Sequence, residues 1–184
     1  MVLYIVIGIV VLIVLWAIMT YNGLVSRRAM VQEGWSGIDA QLKRRTDLIP
    51  NLVETVKGYA THERTTFDEL TRMRAQAGTS QDPAQRAQTE GAITAAIGKV
   101  LAVAEAYPDL KASANFQSLQ KDLADLEDQI QLARRYYNGV VRNYNVSVQS
   151  FPGNLVAGMG GFQPSKFFEL ENAADRNVPK VSFN

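Results

Sequence analysis

The residues able to do chemistry are few in this chain, and their spacing argues against each familiar site. The single histidine, His62, is followed by Glu63. The run His62-Glu63-Arg64-Thr65-Thr66 lacks the second histidine that a zinc-protease helix carries one turn later. A di-iron site in a helical bundle needs two Glu-x-x-His units and further glutamates, which one histidine cannot supply. His62 therefore reads as a surface or capping residue at a helix junction. Cysteine is absent, which removes disulfides, thiolate nucleophiles and cysteine-based metal sites. Serine and threonine lack a supported base, and there is no G-x-x-x-x-G-K-[ST] phosphate cradle. The glycines between Gly158 and Gly161 neither follow a strand nor open a clear helix. No catalytic, cofactor-binding or metal-ligating residue is nominated, no cofactor is expected, and the chain reads as a non-enzyme.

Two basic clusters remain, Lys43-Arg44-Arg45 and Arg134-Arg135-Tyr136-Tyr137. With a formal net charge of +1 at pH 7, the chain has no global field that would attract nucleic acid, and none is expected as a partner. Lipid headgroups are a competing partner for Lys43-Arg44-Arg45, but a helix leaving the membrane carries Lys43 more than about 30 Å away at 1.5 Å per residue. The clusters therefore read as solvated helix faces, or as donors to acids such as Asp47 and those of the last helix.

The elements that would hold these side chains begin with an apolar run. Val2 to Met19 carries eighteen residues without a charge. As a helix rising 1.5 Å per residue, it nearly crosses a hydrocarbon core of about 30 Å. Tyr4 near one end, and Trp16 and Tyr21 near the other, fit the aromatic belts of a membrane interface. The exit Trp16-Ala17-Ile18-Met19-Thr20 has no small-x-small cleavage site, and no basic n-region precedes Tyr4, so a retained anchor is expected over a signal peptide. Arg27 and Arg28 follow the span, with Lys43, Arg44 and Arg45 further on. By the positive-inside rule the N-terminus is expected outside and the C-terminal domain on the cytoplasmic side.

Beyond the anchor, Val31, Trp35, Ile38, Leu42, Ile49, Leu52, Val56 and Tyr59 alternate spacings of three and four, with Arg45 in one slot. This is the seam of a helix packed lengthwise on others. Pro50 predicts a kink, yet the seam keeps its register on both sides, so one bent helix is expected. A polar stretch with Phe67, Leu70 and Met73 on one face leads into a Gly78–Pro83 loop. An alanine-rich helix follows from about Ala84 to Ala106, with Ile93, Ile97, Val100 and Ala104 on one side. The last long helix carries Phe116, Leu119, Leu123, Leu126, Ile130, Ala133, Tyr137, Val140 and Tyr144, capped by Ser113 or Asn115. Three amphipathic helices hide such seams in an antiparallel bundle.

From Phe151 prolines and glycines replace the periodicity, while Phe151, Leu155, Phe162, Phe167 and Phe168 keep the segment too apolar for a simple disordered tail. It must pack on its own bundle, the membrane or a neighbouring subunit, and these five residues are the candidate oligomer contacts. The expected organisation is an anchor over 1–21, a helical bundle over 22–150 and a Gly/Pro/Phe-rich segment over 151–184. The fold class is all-α: a single transmembrane helix, a long antiparallel bundle with coiled-coil-like packing, and an irregular C-terminal tail.

The block YNGLVSRRAMVQEGWSGIDAQLKRRTDLIPNLVETVKGYATHE, Tyr21 to Glu63, resembles the LemA family of bacterial membrane proteins. So do ARRYYNGVVRNYNVSVQSFPGNLVAG, Ala133 to Gly158, and GFQPSKFFELE, Gly161 to Glu171. The resemblance covers nearly the whole chain and implies a membrane helix followed by long antiparallel helices. It implies no established catalytic activity, and a relative associated with magnetosome membranes points toward membrane organisation. The expected function is a homo-oligomeric membrane scaffold, with the lipid bilayer and other copies of the chain as partners. The alternative is an adaptor docking an unidentified envelope protein.

Overall fold

The computed structural model describes residues 1–60 and 63–169. His62, and the tail beyond Glu169 with Pro179 and Phe183, lie outside the described residues. Among the described residues the fold is all-α, with no strand. In chain order, α1 is Val2–Lys57, α2 Arg64–Gln76, α3 Pro83–Glu105, α4 Pro108–Ala112, α5 Ala114–Gln149 and α6 Gly153–Met159. The chain divides into two units: Met1–Arg45 with Lys121–Phe167, and Thr46–Gln120 with Phe168 and Glu169.

α1 begins in the apolar run and continues without a break through the seam residues, with Pro50 inside it. Its first part is long and apolar enough to cross a membrane, and none of that window is buried against the rest of the protein. A core helix would be covered. This one exposes Ile5, Ile9, Leu12 and Leu15 together, the surface of a membrane-associated segment.

In the first unit α1 pairs with α5 in antiparallel register. Arg45 Nη1 reaches Glu127 Oε2 at 2.9 Å, and the rings of Trp35 and Tyr137 lie 5.6 Å apart. Just past the far end of α5, a Cβ on Gly153 at the start of α6 would lie 3.9 Å from Thr20 Cγ2. As the number rises on one helix it falls equally on the other, as an antiparallel pair requires. Gly34 lets the two backbones approach, for a Cβ there would lie 3.4 Å from Tyr137 Cα. Leu24, Val31, Ile38, Leu42, Leu123, Leu126, Ile130, Tyr137, Val141, Tyr144 and Val148 form the core.

The buried stripe on α5 departs from the expected heptad in its last turns. It keeps three-four spacing from Phe116 to Tyr137, but then takes Val141, Tyr144 and Val148, while Val140 is only half-buried. At 3.6 residues per turn a helix drifts against a seven-residue repeat, so over a helix this long the stripe moves by one position.

In the second unit Asp82 caps α3, accepting from the Ala84 and Gln85 amides at 3.0 and 3.3 Å, with Pro83 at the first helical position. Gly78 turns the chain at φ +79°, a left-handed value that favours glycine. α3 packs on α2 and α4, and Lys99 Nζ joins Glu69 across α2 and α3 at 2.9 Å. Its buried face holds Ile93, Ile97, Val100 and Ala104, and extends back to Arg86 and Glu90, whose Nε and Oε1 lie 2.8 Å apart. Polar residue types hid this first turn of the face from periodicity alone.

Two expectations are corrected. Tyr59 does not belong to the seam: α1 ends at Lys57, Tyr59 is exposed, and Ala60 is buried instead. Helical spacing has no force once the helix has ended. The three expected amphipathic helices are joined by α2 as a separate helix and by the short α4 and α6.

Candidate membrane-proximal site

The end of the first unit nearest the apolar run is built by α1 residues 17–28, the last turns of α5, α6, and a strap without helix or strand over residues 162–167. The strap is held by a few directed bonds. Asn145 on α5 clamps Ser165 twice: its Nδ2 donates to the Ser165 carbonyl and its Oδ1 accepts from the Ser165 amide, both at 2.8 Å. Tyr137 donates its hydroxyl to the Lys166 carbonyl at 2.8 Å. A strap lacks ladder partners of its own, so these side chains satisfy backbone groups that would otherwise be stranded.

Phe162 leads the strap into the unit. Its ring meets the Tyr21 ring edge to face, with centroids 5.4 Å apart, and Arg28 Cζ lies 5.1 Å from its centre. Both contacts suit the quadrupole of an aromatic ring. Gly160 is required beside them, because a Cβ there would lie 2.6 Å from Phe162 Cε2. α6 closes with a Schellman motif. Gly161 takes φ +67°, the Phe162 amide donates to Ala157 O at 3.0 Å, and the Gly161 amide to Gly158 O at 3.3 Å. Behind this, burial pushes the Tyr144 phenol above its ordinary value, partly offset by the Arg28 cation.

Charge is distributed sharply here. From Val2 to Ser26 and from Asn143 to Ser165 there is no charged residue. The runs end at Arg27 and Arg28 on α1, Arg142 on α5 and Lys166 on the strap, all exposed. In the antiparallel register Arg142 lies level with Met30, so the charges on both helices stop at one height. No acid occurs before Glu33, nor between Asp128 and Glu169.

The nominated interface residues Tyr4, Trp16, Tyr21, Arg27 and Arg28 are all exposed; Tyr21 and Arg28 meet at Phe162, whereas Tyr4 lies at the other end of the apolar run. Of the seam residues, Ile38, Leu42, Ile49, Leu52, Val56, Leu119, Leu123, Leu126, Ile130 and Tyr137 are buried and Trp35 is half-buried. The candidate oligomer contacts separate. Phe162 and Phe168 are buried within the chain and Phe167 is half-buried, whereas Phe151 and Leu155 are exposed, joined by Met159. Sequence reasoning passed over Asn145, and it took Tyr144 only as a residue of the helical seam. The charge-free run ending at Lys166 was the signal available for this region. Among the described residues no group of His, Cys, Asp or Glu could hold a metal ion.

Comparison with known proteins agrees in kind. The profile of the LemA family matches residues 34–183. Magnetosome protein MamQ 2 of Paramagnetospirillum magneticum strain AMB-1 is 23% identical, over 88% of this chain and 69% of that protein. Magnetosome protein MamQ of Magnetospirillum gryphiswaldense is 22% identical over the same shares. Protein LemA of Metamycoplasma hominis is 27% identical, over 74% of this chain and 63% of its own length.

Proposed function

We propose, from the premise that this chain belongs to the LemA family, that it is a non-enzymatic, membrane-anchored helical scaffold that self-associates and organises or shapes the membrane. The observation that carries this reading is the continuity of α1, one helix from the uncovered apolar run into the packed seam. A rigid element shared by anchor and domain fixes the domain's orientation at the bilayer. Copies held in one plane then meet at high effective concentration, so weak lateral contacts suffice. The magnetosome proteins among its relatives support a role in membrane organisation. The positive collar favours a cytoplasmic domain at a bacterial inner membrane, with the N-terminus outside.

The test is the mass of the full-length protein extracted in mild detergent, beside a version lacking Met1 to Met19. A defined large particle that dissociates without the anchor supports the scaffold. A monomer in both preparations rejects it.

A second reading, an adaptor for another envelope protein, is favoured by Leu132 and Tyr136. They lie one turn apart on α5, both exposed, beside Arg135. A stoichiometric second protein captured from gently solubilised membranes, lost in a Leu132→Ser/Tyr136→Ser variant, would select it.

A further inference from the structure

We infer that α6 is a bilayer-docking foot, a second membrane contact that lies in the headgroup and upper acyl region beside the exit of α1. The inference rests on the membrane-anchor part of the function proposed above. α6 packs at the level of α1 residues 17–21. With Ala17, Ile18 and Tyr21 it encloses an apolar depression of about 330 Å³, completed by Val156, Met159 and Gly160. Ala17 and Ile18 belong to the last turn of the apolar run, so whatever lies against that turn lies at the membrane boundary. α5 descends to this level, α6 crosses it, and the strap climbs away through Phe162 to Ser165 and Lys166. α6 is thus the lowest part of the unit relative to the anchor.

Its chemistry suits lipid. Leu155 and Met159 lie one turn apart on the helix, and Phe151 stands in the turn that precedes it. Their exposures are 57%, 92% and 80%. Water would gain nothing from such a triad at a site where the chain has no charge from Asn143 to Ser165. The backbone around the α6 turn is also satisfied internally. Leu155 donates to Pro152 O at 3.2 Å and Gly160 to Val156 O at 2.9 Å, beside the two bonds of the Schellman motif. Backbone entering an apolar phase must meet that condition. Above the foot stand Arg27, Arg28, Arg142 and Lys166 with no acid among them, placed where lipid phosphates would lie if Phe151, Leu155 and Met159 entered the acyl boundary. The uncovered apolar surface of the foot continues that of α1, through Ile18 and Met19. Continuity with the span selects the bilayer as occupant over a second copy of the chain, and an acyl chain fills the depression.

The chain has no cysteine, so single introduced cysteines report cleanly. Full-length Ile9→Cys, Met159→Cys and Leu132→Cys variants are each labelled with an environment-sensitive fluorophore. They are reconstituted in vesicles of phosphatidylcholine and phosphatidylglycerol carrying a doxyl quencher near the acyl carbonyl, and exposed to aqueous iodide. Ile9 reports the span, and Leu132 the domain well away from it. The expected result is blue-shifted emission at Met159, quenched by doxyl lipid and protected from iodide, with Leu132 quenched by iodide. Iodide quenching at Met159 while Ile9 remains lipid-quenched overturns the foot and leaves the anchor intact. A Met159 probe shielded from both quenchers overturns it in favour of cover by a second copy. Iodide quenching at Ile9 overturns the anchor, and the foot with it. Leu155→Cys repeats the reading from the other turn of α6.

Discussion

Tyr144 and Arg28 set the residue-scale character of the membrane-proximal end. The phenol is almost wholly buried on α5, and burial raises its pKa above 10.0 while the Arg28 cation works in the opposite direction. A raised folded-state value means that the neutral phenol is the form the fold favours. Its contribution to stability is therefore fully present below the unfolded pKa and is lost as pH rises through the folded one. The urea midpoint should fall between about pH 9 and pH 11, and less steeply in Tyr144→Phe. The other tyrosines contribute to both curves, so the difference isolates this group. Equal slopes would show that the phenol is hydrated. In the second unit the buried side chains of Arg86 and Glu90 lie 2.8 Å apart, and the pairing offsets part of the cost of burying each charge.

At the scale of elements, the strap is the part most dependent on individual bonds. It has no helix or ladder of its own over residues 162–167, and Asn145 supplies both hydrogen bonds to Ser165. Asn145→Ala should destabilise the first unit by about 1–3 kcal/mol, the range for two bonds whose backbone partners lose their mates. Tyr137→Phe, which removes one bond to Lys166 O, should cost about 1 kcal/mol. Thermal unfolding and proteolysis near Lys166 would read both, and an unchanged cleavage rate in Asn145→Ala would show that the strap does not depend on the Asn145 bonds. α1 behaves differently. It accommodates Pro50 within one helix, because its seam residues Ile49, Leu52 and Val56 stay buried around the missing donor.

For the whole molecule, the charge boundary shared by α1 and α5 is the property that no single element carries. Residues 1–16 bury no side chain, so removing Met1 to Met19 should leave the core in place while deleting the span. Such a protein should still associate weakly with vesicles containing anionic lipid through its collar and α6, and not with neutral ones. Each cation near the surface is worth about 1 kcal/mol, and the binding should fade with added salt. Vesicle flotation across a salt series measures it. Equal recovery on neutral and anionic vesicles would dismiss the collar.

The apolar run, the heptad seams and the loops at Gly78–Pro83 were readable from the chain because each is a local pattern, imposed by one helix on its own neighbours in sequence. The all-α class and the family resemblance followed from the same residues. What the tertiary structure alone decided is where patterns from distant segments meet. Arg45 sits among buried positions because Glu127 on α5 receives it, and no periodicity in residue type announces that pairing. Phe162 and Leu155 look alike as apolar residues of the tail, yet one packs on Tyr21 and the other stays exposed. The difference is made by the glycine turn at Gly160 and Gly161, which sends the strap back along the helices and leaves α6 at the end of the unit. A sequence records which side chains avoid water, but the register between α1 and α5 determines which of them find cover within the chain.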